Sequence, residues 1–264
     1  MEQRRNNAPK KAPAGSQEPA PSYPMRLNRY LALKGIATRR EADVLIEKKK
    51  VLVNGRVASL GDKVLETDTV TIRGATRPKA YAYVAFHKPA GMDTHREPGR
   101  DGEKAPNVQD ALPADLARLG LFPVGRLDKA SSGLLLLTND GRITDRLLNP
   151  AHAHEKMYEV TTKAPLRAST KEKLEGGVDI EGYRTKPARV EVLGESRFRI
   201  ALTEGKSHQI RRMMVALFNE VKTLKRVSIM GIRLGPLKAG GYRPIEGKEL
   251  AKFLSDLGLG GEAS

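Results

Sequence analysis

The residues that could carry out chemistry lie first in a polar loop, Gly125–Gly133, which separates two apolar segments. Asp128 is the acid of this loop, with Arg126 two residues before it and Lys129 directly after it. Because nearby positive charge keeps a carboxyl group ionised, Asp128 is available as a nucleophile or as a base. The same residues would also suit a structural turn, in which the aspartate accepts hydrogen bonds from backbone amides.

Two further segments offer partners for such a carboxylate. Apolar residues recur at helical spacing in His208–Phe218, and at about 100° per residue Arg211 falls beside the apolar edge of that helix. A partly buried arginine needs an anionic partner or ligand, unless its long side chain reaches water. The strand pattern of Lys156–Val160 directs Tyr158 to one face, where a tyrosine is either part of the core or a platform for a ring.

Several other chemistries find no support in the sequence. The chain has no cysteine, which excludes thiol nucleophiles, disulfides and cysteine-held metal centres. Its five histidines have no carboxylate at the spacing of metal ligands, so we expect neither a metal site nor a cofactor. Gly205-Lys206-Ser207 is similar to the end of a phosphate-binding loop, but Ile200 occupies the position where that loop requires glycine.

The charge of the chain predicts an anionic partner. Its 264 residues include 47 Lys and Arg against 31 Asp and Glu, a formal net charge of +16. Since such a surplus repels itself, nucleic acid is the expected partner. No apolar stretch approaches the roughly 20 residues that span a bilayer, and the first residues lack the apolar segment of a secretory signal. We therefore expect a cytoplasmic, monomeric protein that binds nucleic acid and no membrane.

Composition and patterning divide the chain into two ordered units. Residues 1–24 are rich in proline and basic residues, which predicts a disordered tail. Residues 25–72 form a small unit of helices and short strands, followed by a linker at 73–79. Strands and helices alternate irregularly over 80–257, which predicts an α+β domain with a mixed, mainly antiparallel sheet. Residues 258–264 form a terminal tail.

The small unit combines clear folding signals with a basic surface. Asn54-Gly55 between two valine-rich segments predicts a hairpin, and Thr38 with Glu41 matches a helix capping box. Arg39 and Arg40 follow in the first turn of that helix, where the dipole disfavours cations but a phosphate could be held. The other candidate RNA-binding cations are Arg26, Arg29 and, at a helix end that favours cations even without a ligand, Lys48, Lys49 and Lys50.

Three segments of the small unit resemble a known RNA-binding module. They are Met25–Leu31, Thr38–Asp43 and Val51–Gly55. Together they resemble the alpha-L module shared by a small-subunit ribosomal protein, tyrosyl-tRNA synthetase and several RNA-modifying enzymes. The resemblance implies RNA binding and says nothing about catalysis.

Motifs of the larger unit carry a second resemblance. They are Gly125–Asp128 followed by Ser132–Gly141, then Lys88–Gly91, Lys156–Tyr158 and Glu204–Met213. In combination they resemble the pseudouridine synthases, specifically the branch that acts on ribosomal RNA and carries the alpha-L module in front. The resemblance implies an enzyme that isomerises a uridine of ribosomal RNA with an aspartate and no cofactor.

This resemblance also implies roles for individual residues. Asp128 would be the catalytic aspartate, Tyr158 would stack on the target uracil, and Arg211 would pair with the aspartate. Arg126 would help to hold the RNA open where the uridine has left its stack. The further RNA-binding residues implied by the matching motifs are Lys88, Lys206, His208 and Gln209.

The substrate is predicted less directly than the reaction. The forms Gly125–Lys129 and His154–Tyr158 resemble the enzymes of large-subunit 23S rRNA, which favours that RNA over small-subunit 16S rRNA or tRNA. A non-catalytic RNA-binding or ribosome-assembly protein is the alternative from another class. The Asp128 loop distinguishes the two, because a protein that only binds RNA has no need to bring an arginine and an aspartate together beside an exposed tyrosine.

Overall fold

The structure, a computed structural model, describes residues 23–34, 36–37, 39–74, 80–95 and 106–260. The predicted helix cap at Thr38 lies outside the described residues, as do the side chain of Arg40 and most of the predicted N-terminal tail. Within the described ranges, no helix is long and apolar enough to cross a membrane.

The small N-terminal unit has the predicted helices and hairpin. Asn54 and Gly55 both have positive φ, at 51° and 80°, which is the backbone conformation that a tight hairpin turn requires. The helices and strands of this unit are β1 (Met25–Arg26), α1 (Leu27–Leu33), α2 (Arg39–Glu47), β2 (Val51–Val53), β3 (Arg56–Val57), β4 (Lys63–Val64) and β5 (Val70–Ile72).

Each helix of this unit turns one apolar stripe towards the core. Leu27 and Leu31 lie one turn apart on α1, and Ala42 and Ile46 lie one turn apart on α2; all four are buried. They pack with residues of the strands, where β2 pairs antiparallel with both β3 and β5. Arg29 of α1 and Arg39 of α2 are therefore left on the outside.

The larger domain is built mainly from strands, with helices on their faces. Its elements are β6 (Tyr83–Lys88), α3 (Ala114–Arg118), β7 (Phe122–Val124), β8 (Ser132–Thr138), α4 (Arg142–Leu148), a 3-10 turn (Pro150–His152), β9 (Lys156–Thr162), α5 (Thr170–Glu175), β10 (Asp179–Ile180), β11 (Tyr183–Arg184), β12 (Arg189–Gly194), β13 (Arg197–Leu202), α6 (Gln209–Ala216), β14 (Val221–Ile229), β15 (Ile232–Arg233), β16 (Tyr242–Pro244) and α7 (Gly247–Asp256).

One nine-stranded sheet organises this domain. Seven of its strands follow the order β12-β13-β9-β14-β8-β6-β16, while β15 pairs with β14 and β7 pairs with β8. Its described pairs are antiparallel except for β14 and β8, which run parallel at the centre. This arrangement confirms the predicted α+β class and the mixed, mainly antiparallel sheet. Gly133 has a φ of 113° at the parallel pair, and a Cβ there would collide with the backbone of Arg226. Glycine is therefore required where the two strands meet.

The sheet buries two main apolar clusters in different halves of the domain. One includes Leu134, Ile143 and Phe253, and the other includes Phe198 and Met213. Packing against the first cluster continues to Leu259, two residues beyond the predicted end of the domain. The aspartate loop, which joins β7 to β8, lies where the two halves meet.

Candidate active site

A cavity of about 560 Å³ opens where the aspartate loop, β9, β14 and the turn before α6 come together. Asp128, Tyr158 and His208 line it, together with Lys156 and Arg226. Binding sites for small molecules are typically 300–1,000 Å³ in volume, so a nucleoside fits a cavity of this size. The cavity brings together residues that are up to about 100 positions apart in sequence, since β14 carries Arg226 and the loop carries Asp128.

Hydrogen bonds from the segment that follows β6 hold the aspartate loop in place. Thr94, which is buried, donates its Oγ1 hydrogen to the Leu127 carbonyl at 2.6 Å and accepts from the Leu127 amide at 3.1 Å. The amide of Gly91 donates to the Lys129 carbonyl at 2.7 Å. These contacts hold the residues on both sides of Asp128 in place while its own side chain stays available.

The Asp128 carboxylate faces the cavity instead of capping its own loop. Its side chain is 33% exposed, and in the described part of the chain it accepts no hydrogen bond from a backbone amide. A structural turn aspartate would be bonded to such amides. The geometry therefore favours the chemical interpretation of the loop over the structural one.

Lys88 was expected to contact RNA, and the structure corrects that prediction. The side chain is fully buried, and its Nζ donates to the carbonyls of Pro89 at 2.9 Å and Met92 at 2.8 Å, with Lys129 O at 3.5 Å. Burial lowers the pKa of Lys88 to about 8, against the smaller opposing effects of nearby carboxylates. Lys88 has no exposed surface for RNA, and its role is to tie the segment after β6 to the aspartate loop.

Tyr158 lies in the middle of β9, between Ile200 of β13 and Arg226 of β14. It is half-buried, with part of its ring packed against the second apolar cluster and part lining the cavity. A ring fixed on one side by packing and open on the other is suited to stacking. The structure thus brings Tyr158 and Asp128 to one cavity, as the predicted roles require.

Arg211 does not pair with Asp128, so the predicted ion pair is wrong. Its Nη2 donates to the Ala130 carbonyl at 3.2 Å and its Nη1 to the Val221 carbonyl at 3.3 Å. The side chain therefore connects the aspartate loop to the start of β14, and it makes no contact with the Asp128 carboxylate among the described residues. The ionisable side chain that contacts Asp128 in the described part of the chain is instead that of His208, whose Nδ1 lies 3.3 Å from Asp128 Oδ2.

His208 reaches the carboxylate because of its backbone conformation. It directly precedes α6 and has a φ of 50°, in the left-handed region that few non-glycine residues adopt. This conformation directs the imidazole into the cavity, where the side chain is half-exposed. His208 was predicted to contact RNA; the structure adds a contact with the candidate catalytic group.

The turn before α6 is held by Glu204, a buried residue that the sequence did not single out. Its carboxylate accepts from the Tyr183 hydroxyl and the Gln209 amide, both at 2.6 Å, and from the Lys186 backbone amide at 3.1 Å. Gln209 was predicted to contact RNA, but it is buried, and its oxygen accepts from the Lys206 amide at 3.0 Å. Gln209 therefore positions the turn, which corrects that prediction.

The remaining predicted RNA-binding residues whose side chains the structure describes are exposed. Lys206 lies at the cavity with its Nζ 4.4 Å from the centre of the Tyr183 ring, and Arg126 lies at the cavity rim. Their exposure is consistent with RNA contact, which stays a prediction. In the small unit the exposed residues are Arg26, Arg29, Arg39, Lys48, Lys49 and Lys50.

Comparisons with known proteins agree with this geometry. Residues 82–216 match the RNA pseudouridylate synthase family, and residues 25–70 match the S4 domain, the alpha-L module. The chain is 36% identical over 234 residues to the dual-specificity RNA pseudouridine synthase RluF of Escherichia coli, covering 87% of this chain and 78% of that protein. It is 35% identical over 235 residues to the ribosomal small subunit pseudouridine synthase A of Pasteurella multocida, covering 87% and 99%.

A solved structure extends the likeness to the fold. A crystal structure of a pseudouridylate synthase aligns with a TM-score of 0.63 and 29% identity, over 88% of this chain and 99% of that one. Sequence, fold and the contents of the cavity thus lead to one family. The chain is a member of the RNA pseudouridylate synthase family, with an S4 domain in front of its catalytic domain.

Proposed function

We propose that this enzyme converts a uridine of large-subunit ribosomal RNA to pseudouridine, with Asp128 as its catalytic group. The observation that carries the proposal is the convergence of a carboxylate and a half-buried tyrosine ring in one cavity of nucleoside size. Among the residues that the structure describes, no backbone amide donates a hydrogen bond to the carboxylate, so it can act on a substrate. The ring is supported from behind, so it can hold a base.

The reaction rearranges atoms within the uridine. The bond between ribose C1′ and uracil N1 breaks, the uracil turns, and C5 bonds to C1′; C5 loses its proton and N1 ends with one. Asp128 supplies the anion for this rearrangement, either as the nucleophile at C1′ or as the base that takes a ribose proton. Both roles need an ionised carboxylate, and His208, whose Nδ1 lies 3.3 Å from Asp128 Oδ2, is placed to orient it.

Access to Asp128 requires the uridine to leave its helical stack. Extruding a base costs a few kcal/mol, and stacking on Tyr158 together with phosphate contacts offsets this cost. Exposed cations, such as Lys206 at the cavity and Arg26, Arg29 and Arg39 of the S4 domain, would make the phosphate contacts. Tyr158 thus receives the base while the basic surface holds the surrounding RNA.

The choice of RNA rests on the local form of the motifs. Gly125–Lys129 and His154–Tyr158 resemble the large-subunit enzymes, which supports 23S rRNA as the substrate. The name of the Pasteurella multocida relative assigns that protein to the small subunit, and the name of the Escherichia coli relative gives it dual specificity. A test therefore has to cover both ribosomal RNAs and tRNA.

The test is a map of pseudouridines across 23S, 16S and transfer RNA in cells with the gene intact, deleted, or carrying Asp128→Asn. We expect one 23S position to lose its modification in both the deletion and the Asp128→Asn strain. The matched control is Asp115→Asn, which changes an exposed aspartate of α3 and should leave the map intact. Loss confined to 16S or transfer RNA would overturn the substrate, and full modification by Asp128→Asn would overturn the role of the aspartate.

A further inference from the structure

Two cations in the wall of the cavity, Lys156 and Arg226, have no carboxylate partner within the described residues. The Nε of Arg226 donates to the Leu134 carbonyl at 2.8 Å and its Nη1 to the Arg126 carbonyl at 3.3 Å. Arg226 is only 4% exposed, and its Nη2 is buried without a hydrogen-bond partner among the described residues. The Nζ of Lys156 donates to the His154 carbonyl at 3.3 Å.

The two cations and Tyr158 form one continuous part of the cavity wall. Arg226 lies directly opposite Tyr158 in the antiparallel pair of β14 and β9, so their side chains share a face. Lys156 lies two residues before Tyr158 on β9, and residues two apart in a strand point to the same side. All three line the cavity.

A buried arginine and a partly buried lysine without an acidic partner are unusual in a protein. Buried cations are normally paired with an acid, because leaving water is costly for an unpaired charge. Here burial and the neighbouring Arg226 both lower the pKa of Lys156, and no carboxylate acts in the opposite direction. The structural role of Arg226, tying β14 to β8 and to the aspartate loop, uses Nε and Nη1 and leaves Nη2 unexplained.

We propose that Lys156 and Arg226 bind a phosphodiester group adjacent to the target uridine. The proposal rests on the proposed function and deepens it, because it assigns the anion that balances these two charges. Phosphate oxygens accept hydrogen bonds from guanidinium and ammonium groups well. With the uracil on Tyr158, a phosphate on Lys156 and Arg226 would fix the nucleotide at two points and hold the ribose before Asp128.

The test is a double-mutant cycle on RNA affinity, in which one change is made in the protein and the other in the RNA. The RNA is a short segment around the uridine found by the modification map, with the linkage on its 5′ or its 3′ side replaced by a neutral methylphosphonate. Binding is measured with proteins carrying Asp128→Asn, so that the RNA is not converted. Lys156→Gln should weaken binding of the natural RNA by about tenfold, as for loss of a charged hydrogen bond. If Lys156 contacts the phosphate on one side of the uridine, the same substitution should have little effect on binding of the RNA in which that linkage is neutral. It should keep its full effect on the RNA in which the other linkage is neutral.

The matched control is Lys222→Gln, which changes an exposed lysine of β14. It should weaken binding of natural and substituted RNAs slightly and equally. Arg226 is a poorer first target, because its removal would break contacts with Leu134 and Arg126 and could unfold the strand. Arg226→Lys keeps the charge, and thermal unfolding then reports whether the fold survives.

The proposal fails if Lys156→Gln weakens all the RNAs equally, or if it leaves binding of the natural RNA unchanged. An equal loss would point to a contact with the base or to a general electrostatic effect. These outcomes are separate from a failure of the proposed function, since the cycle measures affinity and the modification map measures turnover.

Discussion

The S4 domain and the catalytic domain use positive charge in opposite ways. In the S4 domain, Arg26, Arg29 and Arg39 are exposed, on elements whose apolar faces form the core. In the catalytic domain, Lys88 and Arg226 are buried and donate to backbone carbonyls around the aspartate loop. Exposed charges are screened by salt and solvent, whereas enclosed charges act at short range on fixed partners.

The comparison predicts that RNA affinity and chemistry depend largely on different residues of this enzyme. Changes in the S4 domain should alter how tightly RNA is held and how strongly salt weakens it. Changes to Asp128 and to the residues that position its loop should alter turnover or the free energy of unfolding, whereas the phosphate contact proposed for Lys156 should also alter affinity. Four predictions test this division.

The largest effect is expected from Asp128→Asn. The substitution preserves shape and removes the anion, so single-turnover conversion of the target uridine should fall by about 10³-fold or more. RNA affinity and the free energy of unfolding should stay close to those of the parent, because the carboxylate accepts no backbone hydrogen bond in the described part of the chain. Conversion at the parental rate would break the assignment.

Glu204→Ala should be the most destabilising of these changes. It leaves the Tyr183 hydroxyl, the Gln209 side-chain amide and the Lys186 backbone amide without their acceptor, a loss of about 2–4 kcal/mol because the Gln209 amide is buried and the other two are partly so. Urea unfolding measures the change. The matched control, Glu181→Ala, removes an exposed partner of Arg212 and should cost less than about 1 kcal/mol. Equal costs would mean that Glu204 does not organise the turn.

Lys88 should give the stability of the enzyme a specific dependence on pH. The folded chain holds this proton with a pKa of about 8, below the ordinary lysine value of 10.5. Between these two values the unfolded chain binds more protons, so the contribution of Lys88 to the free energy of unfolding rises with pH. Urea unfolding of the parent and of Lys88→Met from pH 7 to 10 measures it. The difference between the two should widen in favour of the parent from about pH 8 upwards, and a constant difference would contradict the prediction.

The smallest effect is expected from Arg39→Gln. One exposed cation should change RNA affinity only a few-fold at moderate salt, and the slope of log affinity against log salt should fall by about one. The rate of conversion of bound RNA should be unchanged, since Arg39 belongs to the S4 domain. Normal binding combined with lost conversion would reverse the division between the two domains.

Local patterns predicted much of the fold. The Asn54-Gly55 turn, the strand from Lys156 to Thr162 and the loop around Asp128 all follow from short-range preferences and strand periodicity. The family motifs also supplied Asp128 and Tyr158 as residues of one site, and both line the cavity.

The partners within the site could not be predicted in the same way. Periodicity indicates which side of a helix Arg211 lies on, but not that the Ala130 carbonyl lies within its reach. The left-handed backbone of His208, which directs its ring to Asp128, has no signal in residue type. From residue type alone, Lys88 and Glu204 would be expected on the surface, but packing buries both of them. Such contacts depend on segments distant in sequence.

The parallel pairing of β8 with β14 has a consequence for how the enzyme comes into being. Ser132 lies beside Lys225 and Gly133 beside Arg226, across more than 90 residues of intervening chain. A growing polypeptide therefore carries the aspartate loop long before the strand that completes its surroundings has been synthesised. The surroundings of the aspartate loop can therefore form only after β14 has been synthesised and has left the ribosome.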